Sequence, residues 1–138
     1  MAINFSICIS PFSKLNKNKM VKKLNMESFK NRVHNFEKNK NEWKFEGTKP
    51  CIVDFYADWC HPCKILASIL DHLSKEYDGK IDIYQVDIEA EPELSSAFSV
   101  RSIPSMLFVP MDEKPQMSAG LFDKKSLAEI IKDVLKVC

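Results

Sequence analysis

Asp54-Phe55-Tyr56-Ala57-Asp58-Trp59-Cys60-His61-Pro62-Cys63-Lys64 reads as a buried strand that runs into the start of a helix carrying two cysteines one turn apart. From Cys51 to Ala57 the chain is almost wholly apolar, and Ile52, Val53, Phe55 and Tyr56 leave no polar alternation. That is the pattern of a strand covered on both faces. Asp54 is its one charged member. A carboxylate in an apolar strand is costly unless paired or protonated, which marks Asp54 as a working residue. Beyond the cysteines, Ile65, Leu66, Ile69, Leu70, Leu73 and Tyr77 recur at helical spacing. The spacing predicts a helix from near Cys60, with one apolar stripe against the strand. Pro62 suits its first turn, where a missing N–H has no intrahelical acceptor. Cys60 then sits at a helix N-terminus, where free N–H groups and the positive end of the macrodipole favour a thiolate. Cys60 is predicted to be the attacking sulfur. Cys63, one turn inside and turned to the core, is predicted to resolve a mixed disulfide formed on Cys60.

The run Val53-Asp54-Phe55-Tyr56-Ala57-Asp58-Trp59-Cys60-x-Pro62-Cys63-Lys64 closely resembles the active-site segment of thioredoxins. A lone Cys-x-x-Cys is a weak signal. The tryptophan before it, the lysine after it and the aspartate six residues before the first cysteine make this one specific. Ile103-Pro104-Ser105 resembles the cis-proline loop that faces the dithiol in that family, and Gly120 stands where thioredoxins keep a glycine in the partner-binding surface. The resemblance covers residues 27–138 and implies a thioredoxin-like α/β fold, a central mixed β-sheet of four or five strands with helices on both faces. It implies a thiol-disulfide oxidoreductase that reduces protein disulfides through Cys60 and Cys63, with Asp54 assisting proton transfer to the second cysteine. It also implies a substrate-binding surface: Trp59 and Pro104 wall the dithiol, with His61, Pro62, Ile103 and Gly120 around them. Recycling is then the work of a separate flavoprotein, thioredoxin reductase, drawing on NADPH, so this chain is expected to bind no cofactor and no metal. Thioredoxins usually have Gly-Pro between the cysteines; here it is His61-Pro62, which bears on redox poise and preferred partner.

A chain of 138 residues supports one domain that buries roughly two-thirds of its unfolded surface. With 45% hydrophobic and 28% charged residues the composition is that of a globular protein, and no apolar run approaches the roughly 20 residues of a membrane span. The net charge of +1 hides an asymmetry: residues 1–49 carry 11 basic against 4 acidic residues, residues 50–138 carry 9 against 15. The early lysines are scattered among asparagines without amphipathic or motif pattern, so neither nucleic acid nor membrane is expected as a partner. Residues 1–26 are expected to be a disordered basic leader or a mis-annotated start, and 27–138 the folded domain. Ile3 to Ile9 is a short apolar run, but no positive charge precedes it and no small-residue cleavage site follows. Of five cysteines, only Cys60 and Cys63 have redox spacing. Cys51 reads as a small core residue, and Cys8 and Cys138 are unassigned. The pattern suits a reducing compartment, and a cytoplasmic monomer is expected.

In chain order, Phe29, Val33 and Phe36 predict a short helix from Glu27, with a first strand following it and with Trp43 and Phe45 as packing aromatics. Ile81 to Asp87 reads as a second strand of the sheet's centre, parallel to the Cys51 to Ala57 strand through the intervening helix. Pro92 to Phe98 reads as a short helix, Met106 to Val109 as a third strand, and Gln116 to Ala119 as an edge strand. A final helix has Asp123 near its cap, a Ser126-x-x-Glu129 capping pattern, and Leu127, Ile130, Ile131, Val134 and Leu135 on one face. Three other functions compete with a reductant. An exported periplasmic exchange protein requires the Ile3 to Ile9 run to be a signal. A metal module requires ligands beyond Cys60, His61 and Cys63, and His34 and His72 lack the spacing. A non-catalytic interaction domain is compatible with the fold but leaves the dithiol without a use.

Overall fold

Strand β2 (Cys51–Tyr56) is buried at every residue, because it lies in the middle of a five-stranded sheet with helices over both faces. In the computed structural model, which describes residues 20–138, β2 pairs in parallel with β3 (Asp82–Asp87) and antiparallel with β4 (Ser105–Val109). A parallel neighbour needs a crossover, and helix α2 (His61–Glu76) supplies it. Outside them, β5 (Gln116–Ala119) pairs antiparallel with β4, and β1 (Lys22–Lys23) pairs in parallel with β3. The order across the sheet is β1-β3-β2-β4-β5.

Side chains alternate along each strand, so the sheet divides its apolar residues between two cores. On one face Ile52, Ile83, Met106 and Phe108 meet Leu66, Leu70 and Leu73 of α2 and Leu127 and Ile131 of α4 (Lys124–Asp133). On the other, Val53, Phe55, Val86 and Leu107 meet Phe29 of α1 (Met26–Arg32) and Leu94 of α3 (Pro92–Ala97). The three α2 leucines are fully buried, each contributing about 2 kcal/mol by area removed from water. They fix the helix, and with it the cysteines at its start.

Residues 1–19, and with them Ile3 to Ile9 and Cys8, lie outside the described residues. Residues 20–26, expected in the leader, belong to the fold: Val21 and Leu24 are buried on opposite faces of the sheet, and β1 covers the β3 edge. The folded unit therefore starts before Glu27. Asn25 opens α1, its Oδ1 accepting the Ser28 N–H at 2.8 Å while Ser28 Oγ accepts the Asn25 N–H at 2.9 Å. The first strand thus precedes α1, and residues 34–50 form turns and coil. Trp43 and Phe45 pack against the second core as expected, Trp43 stacking on the buried His34 with ring centroids 4.4 Å apart. At α4 the cap is Asp123, which accepts the Ser126 N–H at 2.7 Å. Ser126 is therefore the third residue of the helix and not the cap of a Ser126–Glu129 box. Cys51 is a fully buried core thiol, and burial pushes its pKa well up. Among the described residues no helix is long and apolar enough to cross a membrane.

Candidate active site

Where β2 ends, the chain turns through Ala57, Asp58 and Trp59, and the Cys60 N–H donates to the Ala57 carbonyl at 3.2 Å. Cys60 is the N-cap of α2, with extended backbone, and its Sγ accepts the Cys63 N–H at 3.2 Å. That N–H is one of the unpaired donors of a helix start, so the sulfur takes the place a serine or aspartate oxygen usually holds. The two cysteines are joined as a disulfide, Cα to Cα 5.2 Å. The first turn of α2 holds no acidic residue to oppose negative charge on Cys60. Cys60 and Cys63 are 5% and 2% exposed. They differ in position on the helix more than in exposure, whereas the sequence suggested both.

Of the other expected surface residues, His61 and Pro62 lie between the two cysteines in the first turn of α2 and Ile103 packs on the pair. Ile103 packs on a small cluster made by Cys60, Cys63, Tyr56 and Ala57, with Ile88 beside it. The Ile103–Pro104 peptide bond is cis, and Pro104 is buried while Ile103 is half-buried. Gly120 donates its N–H to the Pro104 carbonyl at 2.8 Å, with φ at +110°, a conformation open to glycine and strained for any residue with a Cβ. His61 and Pro62 are exposed at the helix start. Trp59 is 68% exposed yet held in place, its Nε1 donating to Glu89 Oε1 at 2.7 Å.

Asp54 lies within β2 on the α2 side of the sheet, in register with Met106 on β4 and Gln85 on β3. It is fully buried, and neither carboxylate oxygen has a hydrogen-bond partner within bonding distance. Burial pushes its pKa up to about 7; the neighbouring Gln85 amide favours the carboxylate and offsets part of that rise. A carboxyl group titrating near neutrality can accept a thiol proton and release it again.

Glu89, Gln85 and Lys23 escaped the sequence reading. Glu89 is one acidic residue in an acidic stretch, and its role depends on the turn after β3 bringing it to Trp59. Gln85 and Lys23 join Asp54 only through strand register. No spacing within the sequence reports that.

A thioredoxin family model matches residues 20–133. The thioredoxin of Borreliella burgdorferi is 46% identical over 110 residues, spanning 80% of this chain and 93% of the relative. The thioredoxin of Rickettsia typhi is 38% identical over 112 residues, 81% of this chain and 96% of the relative. Among solved structures, chloroplastic thioredoxin z, described as defining a type-specific target recognition, aligns with a TM-score of 0.65 at 25% identity, covering 80% of this chain and 90% of that one.

Proposed function

The chain belongs to the thioredoxin family, and from that membership we propose a division of labour within a thiol-disulfide oxidoreductase in which Cys60 attacks and Cys63 resolves. The reduced Cys60 thiolate attacks one sulfur of a substrate disulfide, forming the Cys60–substrate bond and releasing the other substrate sulfur as a thiolate. The Cys63 thiol gives its proton to Asp54 and attacks Cys60 Sγ. The Cys60–Cys63 disulfide forms, the Cys60–substrate bond breaks, and the second substrate sulfur leaves as a thiolate that takes a proton from solvent. Two electrons pass from the dithiol to the substrate. The observation that carries this reading is the Cys60 sulfur at the cap of α2, receiving the Cys63 N–H while bonded to Cys63.

The substrate is a disulfide-containing protein. Its extended segment lies across Trp59, His61, Pro62, Ile103, Pro104 and Gly120, which surround the sulfurs and include the exposed indole. Family membership supports recycling by a thioredoxin reductase, with NADPH and flavin held by that partner, and a cytoplasmic site of action.

The test combines the protein with NADPH, thioredoxin reductase and a disulfide-linked protein, following NADPH consumption and substrate thiols. Wild type turns over. Cys60→Ser does not, and Cys63→Ser accumulates a covalent adduct with the substrate. An adduct on Cys60→Ser and none on Cys63→Ser exchanges the two roles.

A further inference from the structure

Between α1 and β2 the second core is covered by a segment that pairs with no strand. Trp43 and Phe45 are half-buried and alternate with exposed Lys44 and Glu46, as in a strand with one face on a core. One edge of the segment is bonded: the Lys44 N–H donates to His34 Nδ1 at 3.2 Å and the Glu46 N–H to the Val33 carbonyl at 2.8 Å. Successive residues of an extended chain turn their main-chain groups to opposite sides. The N–H and C=O groups of Trp43 and Phe45 therefore face away from α1, and among the described residues no main-chain hydrogen bond reaches them. The Trp43 indole N–H is also buried without a partner, which is destabilising until an acceptor comes within reach. A groove of about 520 Å³ borders the segment, lined by its Glu42, Trp43 and Phe45 and by Met111, Asp112 and Glu113 of the turn after β4. An unpaired edge over a half-covered core is a template for one more strand.

We propose that this groove is the docking site of the chain's own residues 3–9, added as an extended strand along Trp43 and Phe45. Those residues lie outside the described ones, and three features of the chain select them. Ile3, Phe5, Ile7 and Ile9 alternate with Asn4, Ser6 and Cys8, the period of a strand with one apolar face. That face continues the apolar layer of Trp43, Phe45 and Met111. The path is also short enough. β1 runs parallel to β3, and β3 to β2, so the chain arrives at Met20 from the Cys51 end of the sheet, the end at which β4 leaves Val109 for Met111. β1 and β4 are three strand spacings apart, about 14 Å at roughly 4.8 Å each. Residues 10–19 span up to roughly 33 Å. Charge agrees as well: Glu42, Asp112 and Glu113 outnumber Lys44 and Lys114 around the groove, while residues 1–19 carry Lys14, Lys17 and Lys19 and no acidic residue. The dithiol lies at the other end of the sheet, so the docked strand leaves the redox surface uncovered.

The test compares hydrogen exchange at the Trp43 and Phe45 amides in the full chain and in a chain of residues 20–138. Both amides are expected to exchange about tenfold more slowly in the full chain, while the amides of β2 exchange alike in the two and disulfide reduction is the same. In the full chain, Phe5→Asp combined with Ile7→Asp places two charges on the apolar face and leaves every element of the described fold intact. That variant is expected to exchange like the shortened chain. A synthetic peptide of residues 1–13, added to the shortened chain, is expected to restore the protection. Equal exchange at Trp43 and Phe45 in the full and shortened chains overturns the proposal, and so does protection that survives the double substitution. Protection of the shortened chain that rises with its concentration assigns the groove to a second copy, which also overturns residues 3–9 as its occupant.

Discussion

Asp54 sets the fold's stability against its chemistry. Its carboxyl group titrates near its ordinary 3.8 in the unfolded chain and near 7 in the folded one, because burial penalises the charge. Between those values the unfolded state has lost the proton and the folded state keeps it, so stability falls as pH rises. The contribution is fully present below pH 4 and lost above about pH 7. A gap of about three pK units corresponds to about 4 kcal/mol, an order-of-magnitude figure. Asp54→Asn is therefore expected to be more stable than wild type at pH 8, by up to about that amount, and to lose the advantage near pH 4. Denaturant melts at both pH values check this, and a variant less stable at pH 8 contradicts it. At His61 the expected effect is on potential. An imidazolium beside Cys60 favours the thiolate, which exists only in the reduced form, and so raises the potential. A net effect on the order of 1 kcal/mol is roughly 20 mV in a two-electron couple. His61→Gly is expected to be more reducing by about that amount at pH 6, and by less at pH 8, in glutathione titrations. A shift the other way at pH 6 rules out the electrostatic account. Both residues were legible from the sequence because they announce themselves locally, one as a charge in an apolar run, the other between two cysteines. Glu89 and Gln85 matter only through what the turns and register bring to them.

At the scale of elements, legibility followed length and periodicity. Strand β5 falls at the expected residues, β2 and α2 within one residue of expectation, since a six-residue strand apolar at every position but Asp54 and an apolar stripe over 16 residues leave little choice. Strand β1 has two residues, both exposed lysines, and carries neither an alternation nor an apolar run. What holds it is its neighbours: Val21 and Leu24, at 6% and 5% exposure, anchor it on either side, and the Leu24 N–H donates to the Gln85 carbonyl at 2.8 Å. A chain starting at Glu27 loses β1, both anchors and the Asn25 cap. Two buried aliphatic side chains at about 2 kcal/mol each amount to about 4 kcal/mol. The shortened chain is expected to unfold at clearly lower denaturant, with its surviving fraction still redox-active. An unchanged midpoint contradicts the placement of β1 in the sheet.

For the whole molecule, the antiparallel pairing of β2 with β4 sets Ser105 beside Phe55 and Val109 beside Cys51, so one end of the sheet carries the dithiol and cis-Pro104 while the other carries the turn through Met111, Asp112, Glu113 and Lys114. Those four residues are all exposed; β4 before them is fixed by the cores on either face, and β5 after them by its pairing with β4. Exposed loop tips of this kind accept added chain with little effect on the rest. Inserting a flexible ten-residue segment between Asp112 and Glu113 is expected to leave disulfide reduction within about twofold of wild type; a large loss shows that the two ends communicate. The separation has a consequence for descent and for engineering alike. Length or an attachment added at the turn end lies at the opposite end of the sheet from the electron-transfer site, so a single redox device can be mounted in many settings without being rebuilt.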